Sequence, residues 1–282
     1  MWKITLLVIV AFSTSQGFLF GRDQSKWNGL KVTWGLNPFS SFQDVPRTKA
    51  DALHQGWVKK DAGAGCQGAH FNGERFWKDS DLGVILLYDV NGFIAGIQTA
   101  FDKNTSPNQN NYPAPQMQTH PLVEEGGNYH STAYFIPSDT VCTTGRTEAD
   151  FHQEGTGTGL WVQNGTTPSS TVQIPMTIEQ ARTSAWTEGK CFASMGKHFW
   201  YNLSKGMDCN DFFPMFLLYN GGVLNGFGWA YGIDITASSR LEHPPAVTYA
   251  QFMAEVPTCL GTWGTLTTLH IYLTDSALAD TC

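Results

Sequence analysis

Charge is scarce in this sequence, and positive charge scarcer still. Lys and Arg number 17 against 24 acidic residues, and charged side chains make up only 15% of the chain. A net charge of −7 without any Lys/Arg cluster excludes a basic face that could track phosphates, and it excludes a polybasic membrane patch. No nucleic-acid partner is expected. Long apolar runs are missing as well: no segment reaches the ~20 apolar residues that a membrane helix needs, so no membrane span is expected. There is no CxxC pair to hold structural zinc, no HExxH, no P-loop, no EF-hand loop and no GxSxG elbow.

What remains is aromatic and glycine-rich. Aromatic residues account for 13% of the chain and glycines number 29, a balance that favours strands and turns over long helices. The opening "MWKITLLVIVAFSTSQG" places Lys3 before an apolar run from Ile4 to Phe12, followed by small residues. That order predicts a secretory leader over 1–16 and hence an extracellular protein. Six cysteines in an oxidising compartment then predict three disulfides. Sequons at Asn104, Asn164 and Asn202 are candidate glycosylation sites.

The chain also repeats itself. "LLYDVNGFIAGIQTAF" from Leu86 and "LLYNGGVLNGFGWAY" from Leu217 read alike with one gap in the turn. Upstream, "VPRTKADALHQGW" (45–57) answers "IPMTIEQARTSAW" (174–186), each with Trp eleven residues after Pro. "CQGAHF" answers "CFASMGKHF", "THP" answers "EHP", and His130 and His270 each precede a Cys by twelve residues. "GLKVTW" and "GLWVQN" are plausible matching first strands. Asn91-Gly92 and Asn220-Gly221-Gly222 are strong hairpin signals, because Asn and Gly tolerate the positive φ that such turns need. "VILLY" and "MFLLY" are continuously apolar and should be covered on both faces. The Pro-x-Thr segments predict short helices with Pro in the first turn.

The expected fold class is therefore α+β: internally duplicated, two similar antiparallel-sheet lobes each with one main helix, pseudo-two-fold and disulfide-stabilised. The lobes would span 17–142 and 157–282, with a linker over 143–156 that includes a flexible glycine-rich stretch at Gly155. The repeat pairs Cys66 with Cys142 and Cys191 with Cys282, which leaves Cys209 for Cys259. Loops of this length contribute around 4 kcal/mol each on the chain-entropy model.

Six of the eight histidines fall into matched pairs: His70/His198, His120/His243 and His130/His270. Each could fill a structural hydrogen bond that the repeated fold requires. Alternatively, histidines of the two lobes meet and perform acid–base work or hold a divalent metal. On that second reading His70 and His198 are the candidate catalytic pair, His130 and His270 the candidate metal ligands. Trp77, Trp200 and Trp229 would wall the ligand site, since pockets are mostly apolar with few placed polar groups. Duplicated secreted phosphodiesterases carrying one His-x-Lys motif per half do not fit, because no histidine here is followed two residues later by lysine. The expected function is a small-molecule or metal site between two lobes of a secreted protein, with catalysis by paired histidines. The rival is a non-catalytic extracellular component of a matrix, shell, mucus or venom. The expected partner is a small molecule or another extracellular molecule.

Overall fold

Strands carry most of the regular structure in the computed structural model, which describes residues 27–105, 111–118 and 120–282. The leader expected over 1–16 lies outside the described residues. In chain order the first strands are β1 (Lys31–Val32), β2 (Gln43–Asp44), β3 (Val58–Lys59), β4 (Glu74–Trp77), β5 (Ile85–Tyr88), β6 (Ile94–Asp102), β7 (Val123–Glu125) and β8 (Asn128–Tyr134). There follow β9 (Trp161–Gln163), β10 (Thr171–Gln173), β11 (Trp186–Phe192), β12 (Gly196–Tyr201), β13 (Met215–Asn220), β14 (Val223–Tyr231) and β15 (Thr267–Tyr272). The α-helices among the described residues are short: α1 (Lys49–His54), α2 (Glu148–Glu154) and α3 (Ile178–Arg182). The strand dominance expected of each half is present, and the helical share is smaller than the α+β class implies. Helices of five to seven residues bury too little to act as a layer of their own.

The strands form two antiparallel sheets. One runs β10-β9-β8-β6-β5-β4-β3, with β7 paired to β8; the other runs β11-β12-β13-β14-β15-β1-β2. Counted from β3 and from β11, both sheets add a four-strand meander, then one long strand, then a two-strand hairpin. That last hairpin lies across segment 143–156 from the rest of its sheet in each case. β1 pairs with β15, Lys31 opposite Tyr272 and Val32 opposite Ile271. β9 pairs with β8, Val162 opposite Ala133 and Trp161 opposite Tyr134. Gly29 N–H donates to the Leu273 carbonyl at 3.1 Å, and the Trp27 indole N–H to the Leu224 carbonyl at 2.8 Å. A division at 142–157 therefore separates each sheet from its terminal hairpin.

The two hairpins quoted above fold as their turn residues require, with Gly92, Gly221 and Gly222 all at positive φ. Each carries one bulge at the same place. Leu87 faces Gly96 and Tyr88 faces Ile94, so Ala95 is extra; Leu218 faces Gly226 and Tyr219 faces Leu224, so Asn225 is extra. β5 and β13 are buried throughout, as their apolar runs imply. The helices start at Lys49 and Ile178, three residues past the prolines expected in their first turns. Thr48 and Thr177 are the N-caps, their hydroxyls accepting from the Asp51 and Gln180 amides. Pro46 and Pro175 instead offer their carbonyls to the Tyr88 and Tyr219 hydroxyls, at 2.8 and 2.7 Å.

The sheets share one apolar core, bridged by Phe101 against Tyr231 (5.3 Å between rings) and Phe135 against Phe227 (6.4 Å). Since Phe227, Trp229 and Tyr231 alternate toward that core, Gly226, Gly228 and Ala230 lie on the other face of β14. The disulfides are Cys66–Cys142, Cys191–Cys282 and Cys209–Cys259, the pairing drawn from the repeat. Segment 143–156, expected as the linker, has structure of its own. It contains α2, with a Thr147/Asp150 capping box, and Arg146 is buried against Asp89, whose carboxylate accepts the Arg146 amide at 2.9 Å. Polar groups that far from water need fixed partners, and these bonds hold the segment in place.

No disulfide crosses between residues 27–142 and 157–282; strand pairing, core packing and side-chain bonds such as that of Arg240 with Asp81 join them. Expressed separately, each piece should aggregate or stay unfolded, because it exposes the strand edge its missing hairpin covers. Co-expressed, they should purify as one complex with slow amide exchange in β8 and β15. A sharp cooperative melt from either piece alone would show that the exchange is not needed.

Candidate functional site

A pocket of about 450 Å³ lies on the outer face of the second sheet. Its floor follows from register. Trp200 faces Phe216 across β12–β13, Phe216 faces Gly228 across β13–β14, and Gly228 faces His270 across β14–β15. Glycine at 228 leaves the middle of that row empty. A Cβ there would come 2.1 Å from Cζ of Phe216 and 2.5 Å from the Leu269 carbonyl. The Phe216 ring lies across the gap, 4.8 Å from the His270 ring, 5.5 Å from His198 and 5.1 Å from Trp200. Trp34, Phe252, Met253, Tyr249 and Leu241 build the walls.

The polar centre of the pocket is Glu242. An isolated bridge to Thr268 lays it beside β15, and the two prolines that follow His243 end the pairing. One carboxylate oxygen accepts the His270 Nδ1 proton at 2.6 Å and the Thr268 hydroxyl at 2.8 Å. The other accepts the Trp34 amide at 2.6 Å and the His270 amide at 3.4 Å. With Nδ1 donating to the carboxylate, the imidazole is fixed as the tautomer whose Nε2 is an acceptor. Nε2 has no hydrogen-bond partner among the described residues. Trp34 reaches Glu242 because Thr33 turns the chain out of β1 at φ 68. That region is costly for a β-branched residue, and such strain collects at working sites. The Thr33 hydroxyl holds the turn by donating to the Arg240 carbonyl at 2.8 Å.

His198 stands across the pocket, its ring 6.3 Å from that of His270 and edge-on to it. Burial, and then the neighbouring His270, push His198 down to about 3, so the ring is neutral near pH 7. It bonds the Lys190 carbonyl through Nδ1 at 3.3 Å. A neutral second imidazole in an apolar wall can accept a hydrogen bond from a ligand without adding charge. Together the groups amount to a carboxylate-oriented histidine facing an apolar cavity, the arrangement of a general base.

The histidines that meet are thus His198 and His270. His70 lies on a loop of the first sheet's side, half-buried, with Nδ1 on the Thr166 carbonyl at 2.8 Å. It shares no ring or hydrogen-bond partner with His198. His130 and His270 stand on different sheets, and at different register. Tyr134 and Tyr272 face Gly96 and Gly226, but His130 lies four residues before its tyrosine and His270 two. The equal spacing to cysteine conceals that offset. Thr132 occupies the place of His270 and Gln98 that of Gly228, and these two bond directly at 2.9 Å. Among the described residues no group of three or more His, Cys, Asp or Glu converges as a metal site. Trp200 lines the pocket; Trp229 is buried in the core, and Trp77 packs under Lys60. Glu242 and Trp34 were not singled out in the sequence. The only local trace of Glu242 is the acid in "EHP", which gives no hint of its partner 28 residues on.

No family model, curated protein or solved structure matches this chain. The geometry alone carries the functional argument.

Three buried groups set the expected pH dependence. His198 is pushed down to about 3, and His130 to about 4 by burial and then Arg75. Burial pushes Asp280 up to about 7, opposed by a bond from Asn225. Between pH 6.5 and 4.5 the unfolded chain holds protons on both histidines that the native chain does not, while native Asp280 holds one that the unfolded chain has lost. Two effects lower stability on acidification and one raises it, each by up to about 1.4 kcal/mol per pH unit. Urea titrations should show stability falling over this window. The slope should flatten in His198→Phe and steepen in Asp280→Asn; unchanged slopes would mean that these groups titrate normally.

Proposed function

We propose that the chain is a secreted, internally duplicated protein whose second sheet binds a small aromatic molecule and deprotonates or hydrogen-bonds it through His270. The observation that carries this reading is the Glu242–His270 pair set in the floor and wall of an apolar, aromatic pocket. Three disulfides support export, since they persist in oxidising compartments, and among the described residues no helix is long and apolar enough to cross a membrane. Duplication is supported by the shared strand order, the matched bulges and the paired Tyr-to-Pro bonds. The pocket draws Thr33 and Trp34 from the first proposed half and its remaining lining from the second.

The pocket chemistry narrows the ligand. Flat apolar walls select a ring, and an unpartnered acceptor nitrogen selects a hydroxyl or another acidic proton on it. A phenol meets both requirements. The pair would act by taking that proton onto Nε2 while Glu242 steadies the imidazolium.

Trp34 and Trp200 report on the pocket, so a titration with 4-nitrophenol or 2-naphthol should quench tryptophan emission. Glu242→Gln and His270→Ala should each weaken binding by about 1.5–3 kcal/mol, roughly 10- to 150-fold. Gly228→Ala should displace Phe216 and abolish binding. If the wild-type protein binds no member of a phenol panel, or binds with affinity indifferent to His270, the reading fails.

A further inference from the structure

A second cleft, of about 510 Å³, opens at the edges of the two sheets and contains two of the three sequons. Asn164 lines it from the first sheet and Asn202 from the second. On the Asn202 side three rings cluster: Trp186 and Tyr201 at 5.5 Å, Tyr201 and Phe213 at 5.2 Å, Trp186 and Phe213 at 6.3 Å. Tyr201 is 37% exposed, so part of this apolar surface faces solvent. The exposed part of Tyr201 and the cleft beside it offer a surface on which the apolar face of a sugar can lie.

Resting on the export proposed above, we infer that Asn202 carries an N-linked glycan whose first sugars lie on the Trp186–Tyr201–Phe213 cluster and fill the cleft. Asn202 follows Tyr201 directly at the end of β12, exposed and at φ 47, in the turn geometry that asparagine tolerates. Its side-chain amide has no partner among the described residues, and Ser204, which completes the sequon, is exposed. The amide nitrogen displaces a diphosphate from the anomeric carbon of a lipid-diphosphate-linked oligosaccharide. The N–C bond forms, the C–O bond to phosphate breaks, and the amide proton leaves to a base of the transferring enzyme. The apolar face of the first sugar then meets the rings, and Asp208 and Asn210 on the rim stand ready for its hydroxyls. Asn164 is the poorer acceptor. It is half-buried, with its side-chain oxygen sealed from solvent and unbonded.

The test is expression of the full chain in secretory cells, followed by peptide mapping after enzymatic glycan release, which converts an occupied Asn to Asp. The expected result is conversion at Asn202 and none at Asn164. Releasing the glycan from native protein should lower Tm by about 2–4 °C, the shift that a modest stabilisation gives in a domain of this size. Trimming to a single sugar should preserve Tm. Asn202→Gln also disturbs a positive-φ position, so Ser204→Ala provides the cleaner loss of the glycan and should show the same lower Tm. Tyr201→Ala should keep occupancy but lose the Tm response to release. Secreted protein unmodified at Asn202, or a Tm indifferent to release, overturns the inference while leaving export intact. A chain that stays in the cytosol with reduced cysteines overturns export itself, and the glycan with it.

Discussion

The backbone ladder between β1 and β15 ties the start of the described chain to its end, and the rest of the molecule is arranged around it. A strand at a sheet edge presents unpaired amides and carbonyls, and leaving them open invites association with other chains. Here the edges of β15 and β8 are covered by β1–β2 and β9–β10, each brought from the opposite part of the chain. The coverage costs a short closure from β8 to β9 and one across most of the described chain from β1 to β15, and closure entropy grows only slowly with loop length. It secures a single core shared by both sheets. The disulfides do not replace this connection, because every one of them lies on one side of the 143–156 segment.

The same face of the two sheets has been put to different uses. In the first, Gln98 and Thr132 fill the row, the Gln98 amide donating to the Thr132 hydroxyl. In the second, the corresponding positions are Gly228 and His270. With no side chain at 228 the Phe216 ring lies across β14, where it floors the pocket beside an imidazole. Under the proposed duplication, one copy keeps the sealed form and the other hosts the site. That division would explain why so few of the matched histidines serve matching purposes.

Local chemistry made the hairpins legible. Asn91-Gly92 and Asn220-Gly221-Gly222 dictate turns whatever the rest of the chain does, and the apolar runs beside them must be buried. The cysteine pairing was legible through the repeat. The helix starts were misjudged by three residues because a threonine cap outweighs a proline's fitness for the first turn. The exchange of β1 and β9 could not be read at all, since two-residue strands such as Lys31–Val32 carry no mark of which distant edge they join. The site suffered from the same limit. His198 and His270 are separated by two intervening strands, and their meeting depends on a glycine in register between them. Equal His-to-Cys spacing suggested instead a partnership of His130 with His270, which a two-residue register offset undoes.

Edge exchange and site are mechanically joined at Thr33. Pairing of Lys31 and Val32 with β15 delivers the chain to the rim of the pocket, and the next residue leaves the strand in a conformation that a β-branched side chain resists. The Arg240 carbonyl and the Glu242 carboxylate hold that bend from one side, and the Thr33 amide, bonded to the His270 carbonyl at 3.1 Å, holds it from the other. Trp34 is thereby aimed at Glu242, and Glu242 in turn fixes the tautomer of His270. Any loosening of β1 from β15 would withdraw the Trp34 amide, leaving the carboxylate a donor short in a largely apolar setting, where an unmet charge is expensive. The orientation of the proposed base is therefore set by the strand that closes the sheet.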